Sequence, residues 1–320
     1  MTAFGGVSRA ALAALVLVTL LAGCSSDAAQ TSDKAEPDEE VELLAMGPAA
    51  DPPLPVAPAR YTGPQGQVGQ FVAHCDYTHS ATDDPIVHAD KPGRSHRHDF
   101  YGAVGVDAFS RPEVMVEGET SCDKIADKAA YWQPTLYDHG EPVVPKQLNA
   151  YYRAAPGIDP ADVVPFPFGI AVITGDMMST VPQEGEATGW TCGTSDKLTD
   201  DMPECPASAH LNLMLTFQDC WDGKHLDSVD HKSHVAYSSD GACPDSHPVN
   251  LPQLTVTVEF PIYGPGHDLT LASGNIYSAH GDFYNAWVPE GLAREVNACI
   301  GRDVVCDLVS NRREEPLFSG

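Results

Sequence analysis

Proline and glycine set the first limit on what this chain can fold into. There are 27 of each, spread through its length, and neither is at home inside a long helix or a central strand. The runs between them are short and extended in type. Gln70 to His74, Gly169 to Thr174, Leu211 to Phe217 and Leu254 to Phe260 have strand lengths. The last three also carry β-branched residues or alternate apolar with polar. One stretch reads as helix, Glu290 to Cys299, with apolar residues at helical spacing. Many short strands, frequent turns and one late helix predict a mainly β chain. The expected architecture is an antiparallel β-sandwich or jelly-roll-like single domain, with long disulfide-stabilised loops and a C-terminal helix. Long loops such as 175–208 and 221–250 are expected to carry much of the function, since loops are where function concentrates.

The ends read differently. Arg9 precedes an apolar run from Ala10 to Leu21, which closes in Leu21-Ala22-Gly23-Cys24. Such a run is too short and too close to the terminus for a spanning helix, and its ending resembles a bacterial lipobox. Residues 1–23 are therefore expected to be a lipoprotein signal peptide, with Cys24 the lipidated residue. Plain secretion with a chance cysteine is the alternative. Residues 24–59 are acidic and proline-rich and hold too little apolar surface to fold, so they read as a disordered tether. The folded domain is expected over 60–314, as one unit without internal repeats, followed by a C-terminal tail, 315–320. This places the protein outside the cell, held to the membrane by a lipid anchor. A net charge of −27 excludes nucleic acid as a natural partner, because phosphates would be repelled.

Cysteine usage agrees with export. Besides Cys24 there are eight: Cys75, Cys122, Cys192, Cys205, Cys220, Cys243, Cys299 and Cys306. An even number in an exported chain suggests four disulfides, with on the order of a hundred pairings open. The shortest loops would be closed by Cys192 with Cys205, Cys220 with Cys243, and Cys299 with Cys306. Without a CxxC pair, a zinc ribbon is disfavoured.

Histidines gather in three motifs: Ser95-His96-Arg97-His98-Asp99, the run from Cys220 through Asp230 to His234, and Ser278-Ala279-His280-Gly281-Asp282. If 96–98 is extended, His96 and His98 point to one side, since strand side chains alternate. Two imidazoles on one face bind a metal or divide acid and base work. No cofactor is required by anything in the sequence, but a divalent transition metal suits His96 and His98 joined by His234, or by His280. The zinc-protease HExxH motif is missing, which removes support for that peptidase class. For proton transfer the candidates are His96, His98, His234, His280 and Asp282, with Asp84, Asp99, Asp230, Tyr101 and Tyr284 also at hand. Each of these has a plainer role open to it, bracing a loop. Lys91, Arg94, Arg97, Lys224 and Lys232 lie near the motifs in a chain with only 18 basic residues. They would orient an anionic group, or pair with Asp90, Asp99, Asp222 and Asp230 next door. Trp132, Trp221 and Trp287 would stack on sugar rings, or fill the core.

Taken together the motifs resemble the DUF1996 family, a domain of unknown function common in fungi and also found in actinobacteria. Asp84-Pro85-Ile86-Val87 with Pro92 to His98 is similar to its first block. Tyr131-Trp132-Gln133-Pro134-Thr135-Leu136-Tyr137 is similar to its second. Cys220-Trp221-Asp222-Gly223-Lys224 with Asp230 to Tyr237 is similar to its third, and His280-Gly281-Asp282-Phe283 with Asn285 and Trp287 to its last. The resemblance runs from about Phe71 to Ile300 and makes this an actinobacterial lipoprotein member. The segment between Val87 and Pro92 is longer than the fungal pattern, and Ala286 stands where a glycine is usual. Fungal members are often joined to sugar-binding WSC modules, which implies a polysaccharide setting. Three functions follow as expectations. One is a polysaccharide-degrading enzyme, working by hydrolysis or β-elimination. The second is a non-catalytic glycan-binding domain, and the third a histidine-rich metal-binding surface protein.

Overall fold

The computed structural model describes residues 69–183, 187–195 and 198–306. The expected signal peptide, Cys24, the 24–59 tether and the 315–320 tail lie outside the described residues. Among the described residues no helix is long and apolar enough to cross a membrane.

In chain order the strands are β1 (Gln70–Ala81), β2 (His98–Gly102), β3 (Ala130–Pro134), β4 (Leu136–Asp138), β5 (Glu141–Pro142), β6 (Gln147–Arg153), β7 (Ala171–Gly175) and β8 (Thr188–Cys192). They continue with β9 (Leu211–Thr216), β10 (Cys220–Trp221), β11 (Val235–Ala236), β12 (Val249–Asn250), β13 (Gln253–Phe260), β14 (Leu269–Leu271) and β15 (His280–Tyr284). Helix α1 (Pro112–Met115) is a single turn, and α2 (Pro289–Glu295) runs on into a π-helical segment, Val296–Ile300. All four strands read from the sequence are present, and the late helix with its extension covers the stretch expected to form it, running one residue beyond at each end. Segments 175–208 and 221–250, expected as loops, contain β8 and the short strands β11 and β12 respectively.

Nine strands form one antiparallel sheet in the order β7-β15-β3-β2-β1-β6-β13-β9-β8. Its centre is β1. Gln70 to Asp76 pair with β6, and Tyr77 to Ala81 pair with β2, with a register break between Tyr77 and His79. A bulge of this kind increases twist and bends a strand. The sheet accordingly folds over on itself as two halves around one core, the sandwich expected of alternating short strands. Phe71 and Ala73 of β1, Leu148 and Tyr152 of β6, Leu213 and Leu215 of β9, Val256 and Val258 of β13, and Phe283 of β15 share that core. The rings of Phe217 and Phe283 are 6.2 Å apart across it.

One half-sheet is covered on its outer face as well. Phe100 of β2, Ala130 and Trp132 of β3, and Ala171 and Ile173 of β7 pack there against Ile86, Val106 and Met115. The segments on either side of β2, 84–95 and 103–118, form this lid. Burial on both faces explains why β2 and β3 are buried at every position, and why they read as continuous apolar runs.

Four disulfides pin the loops: Cys75–Cys122, Cys192–Cys205, Cys220–Cys243 and Cys299–Cys306. The three short closures expected from sequence are all formed, and Cys75 with Cys122 takes up the remaining two. On α2 and its extension, Leu292, Val296 and Ile300 are buried at i, i+4 and i+8 and join the core. Pro289 at the first helical position suits the entry turn.

Candidate metal centre

The site stands on the lidded outer face. Strand β3 pairs with β2 on one side and β15 on the other, with His98 opposite Pro134 and Asp282 opposite Trp132. That register sets His98, Pro134 and His280 in one row across three strands, and Phe100, Trp132 and Asp282 in the next. Inner-facing Gly281 and Phe283 alternate with His280 and Asp282, whose side chains share the outer face. The two imidazoles thus flank a proline, and their centroids are 5.9 Å apart. His96, two residues before β2, completes the group, with its ring 4.3 Å from His98 and 5.0 Å from His280. One nitrogen from each of the three lies within 4.8 Å of the others.

Backbone carbonyls fix two of the rings. His98 Nδ1–H donates to the Asp83 carbonyl at 3.0 Å, and His280 Nδ1–H donates to the Ser278 carbonyl at 2.8 Å. Each therefore presents a lone pair at Nε2. His280 Nε2 accepts from His96 Nε2–H at 3.2 Å. His98 Nε2 is buried and has no hydrogen-bond partner. Fixing Nδ1 through a carbonyl while Nε2 looks inward is how metal-ligating histidines are oriented. Two further buried atoms without partners sit in the next row, Trp132 Nε1 and Asp282 Oδ2.

Burial keeps these imidazoles neutral. It holds His96 down at about 4 and His280 at about 4, and His98 well below the usual range, where the neighbouring His96 and His280 add to the effect. Burial acts oppositely on Asp282, raising it well above a normal carboxyl, with Asp84 adding to the rise and Lys232 opposing it. Asp84 is itself buried, and its Oδ1 accepts from the Ile86 and Val87 amides at 2.9 and 2.8 Å. The Asp-Pro-Ile-Val motif is thus an Asx turn that shapes the lid.

The remaining sequence candidates fall elsewhere. His234, expected as the third metal ligand, is a correction. Its Nε2 binds the Ala171 carbonyl at 2.7 Å and its Nδ1 the Ser228 hydroxyl at 3.0 Å. With both ring nitrogens occupied it bolts the 228–234 loop to β7, and of the two alternatives it is His280 that lies beside His96 and His98. The tryptophans are a second correction. Trp132, Trp221 and Trp287 are at most 1 % exposed, so none offers a flat face to a sugar. Trp221 Nε1 donates to the His225 carbonyl and Trp287 Nε1 to the Tyr152 hydroxyl. Arg94 is exposed and Arg97 half-buried. The local charge pairs expected from sequence are replaced by others. Asp90 pairs with Arg111, and Asp222 holds its own loop and His225. Asp230 caps the amides of Lys232 and Ser233. The other candidate groupings of metal-binding atoms contain cysteines bonded to one another, Cys75 with Cys122 and Cys220 with Cys243. Asp83, Ser278 and Pro134 take part in the site, yet a carbonyl anchor and a spacer ring have no residue-type signature.

A mainly β fold stapled by four disulfides, with a lidded histidine centre on one sheet face, defines the class. The family model described as "Domain of unknown function (DUF1996)" matches residues 84–287, and the chain belongs to that family. No curated protein and no solved structure matches it. The matched span takes in the lid, all three histidines and Asp282, while β1 and α2 lie outside it.

Proposed function

We propose that this protein binds one divalent transition metal through His96, His98 and His280. The observation that carries the reading is the buried, unpartnered Nε2 of His98, set beside two other imidazoles. A neutral imidazole nitrogen closed off from water is costly unless something occupies it. Three imidazole nitrogens without thiolate suit zinc or copper. His96 is only half-buried, so the centre is reached from its side. Bound there, such an ion polarises an oxygen or activates a water. Disulfides and the lipobox-like Cys24 support an exported, membrane-anchored setting for it.

The test is metal analysis of the purified, oxidised chain after chelator stripping and reloading with zinc or copper. One ion per chain is expected, lost in His98→Ala and His280→Ala. Wild-type protein that takes up no stoichiometric metal, or variants that keep it, would end the reading.

A second reading has one observation in its favour, the neutral His96–His280 hydrogen-bonded pair beside Asp282. Such a pair passes protons without a metal, as hydrolysis or β-elimination of a polysaccharide requires. New oligosaccharides released by the metal-stripped chain would favour it over the first. The non-catalytic glycan-binding reading has lost its platform with the burial of the tryptophans.

A further inference from the structure

We propose that the ligand drawn to this centre is an oxyanion, a carboxylate or phosphate group held between the metal and the Lys232 ammonium. This rests on the metal reading above. The argument begins with how Lys232 is held. Its loop is anchored by Asp230, which accepts from the Ser228 hydroxyl and the Ser233 amide at 2.8 and 2.9 Å. His234 fastens the same loop to β7. Lys232 Nζ then donates to the Gly175 carbonyl, and Gly175 is the residue paired with His280 across the β7–β15 ladder. Lys232 is therefore fixed at the rim of the histidine group, where its charge bears on both His280 and Asp282.

No carboxylate neutralises that charge at contact distance. Among the described residues Lys232 has no ion pair, and the nearby Asp282 Oδ2 is without a hydrogen-bond partner. A divalent ion on three neutral imidazoles beside this ammonium makes a concentrated positive point. In a chain with a net charge of −27, such a point is unusual and selective for anions. One anionic oxygen on the metal and a second on Lys232 would satisfy both cations with charge-assisted bonds. A neutral sugar hydroxyl would not. The two extracellular sources of that chemistry are uronic-acid carboxylates and polymer phosphates.

The test uses the full chain loaded with cobalt(II), whose visible spectrum reports ligand entry. Inorganic phosphate, free glucuronate and, as a neutral control, glucose are titrated in. Phosphate or glucuronate should change the spectrum saturably while glucose does not, and the tighter of the two names the source. Lys232→Gln should weaken that affinity at least tenfold with cobalt still bound at one per chain, and Lys232→Arg should restore most of it. The proposal is overturned if neither anion alters the wild-type spectrum, or if Lys232→Gln binds them as wild type does. Should Lys232→Gln lose its cobalt, the arginine variant decides, since equal affinities for phosphate and glucose there would also overturn it. Wild-type chain that binds no cobalt overturns the metal reading itself, a failure seen before any anion is added.

Discussion

The Nε2 atoms of His96 and His280 lie 3.2 Å apart although 184 positions separate the residues in sequence. One proton bridges them, and a metal entering the group would shift it to His96 Nδ1. Burial already keeps all three imidazoles neutral, so metal uptake near neutral pH should release almost no protons from them into a weakly buffered solution. His98→Ala or His280→Ala should lower affinity by more than the ~10–100-fold typical of losing an outer partner. His234→Ala should leave metal stoichiometry intact while lowering the melting temperature, because its ring holds a loop. Competition with a chromophoric chelator measures the first effect, and thermal unfolding the second.

Trp287 is fully buried, stacked edge-on against Phe71 and Tyr152. Trp287→Ala should cost roughly 3–5 kcal/mol of stability, read by urea unfolding. A variant of unchanged stability but altered glycan affinity would restore the surface role that burial argues against.

Cys75–Cys122 closes a span of 47 residues that contains the lid, β2 and both His96 and His98. On the chain-entropy account such a loop is worth about 4 kcal/mol. Replacing both cysteines with alanine should destabilise the chain by that order and weaken metal binding in parallel. Removing Cys192–Cys205, which spans 13 residues away from the site, should lower stability without weakening metal affinity. Paired calorimetry and metal titration would separate the two.

Asp127 is buried beneath Tyr131, whose hydroxyl donates to its Oδ2 at 2.8 Å. Burial raises it from the ordinary 3.8 to about 8. The folded chain thus keeps a proton that the unfolded chain releases near 3.8, so this contribution is full below that pH. It declines as pH rises toward about 8, by at most about 1.4 kcal/mol per pH unit. Asp127→Asn does not titrate. Its stability relative to wild type should improve steadily between about pH 5 and about pH 8. Parallel stability–pH curves for the two proteins would contradict this.

Gly175 has φ +78°, and a Cβ there would fall 2.5 Å from the Ala279 carbonyl and 2.8 Å from His280 Cα. Gly175→Ala should push β15 outward and loosen metal binding by about tenfold, the low end of what disturbing a ligand's support costs. Gly105, at φ +75° with open space around it, is the control. Gly105→Ala carries backbone strain but should leave the metal in place.

Much of the fold was legible because strand alternation and short disulfide loops are local signals. Leu254 to Phe260 alternate as a half-buried strand must, and Cys299 with Cys306 has few partners nearer. His96 and His98 showed their shared side through spacing alone. What stayed hidden depends on distant pairing. Whether His234 or His280 joins them is decided by the order β15-β3-β2, which no spacing reveals. The tryptophans read as core more readily than as platform, and packing decides it: Trp132 lies beneath the lid, while Trp221 and Trp287 belong to the inner core. The buried Lys124–Glu295 pair, 3.2 Å apart, joins residues whose types normally face water, so composition pointed away from it.

The start of β1 is fastened to the far end of the described chain. The Gly69 amide donates to Asp303 Oδ1 across 234 positions, Gln70 donates to the Val304 carbonyl at 3.0 Å, and the Cys306 amide returns to the Gln70 carbonyl at 2.7 Å. Since β1 is also the shared spine of both half-sheets, the first described strand waits for the last described residues. A nascent chain still on the ribosome lacks the clasp that completes its centre. Closure of so distant a contact is slow, so the strand that joins both half-sheets is locked only late in folding.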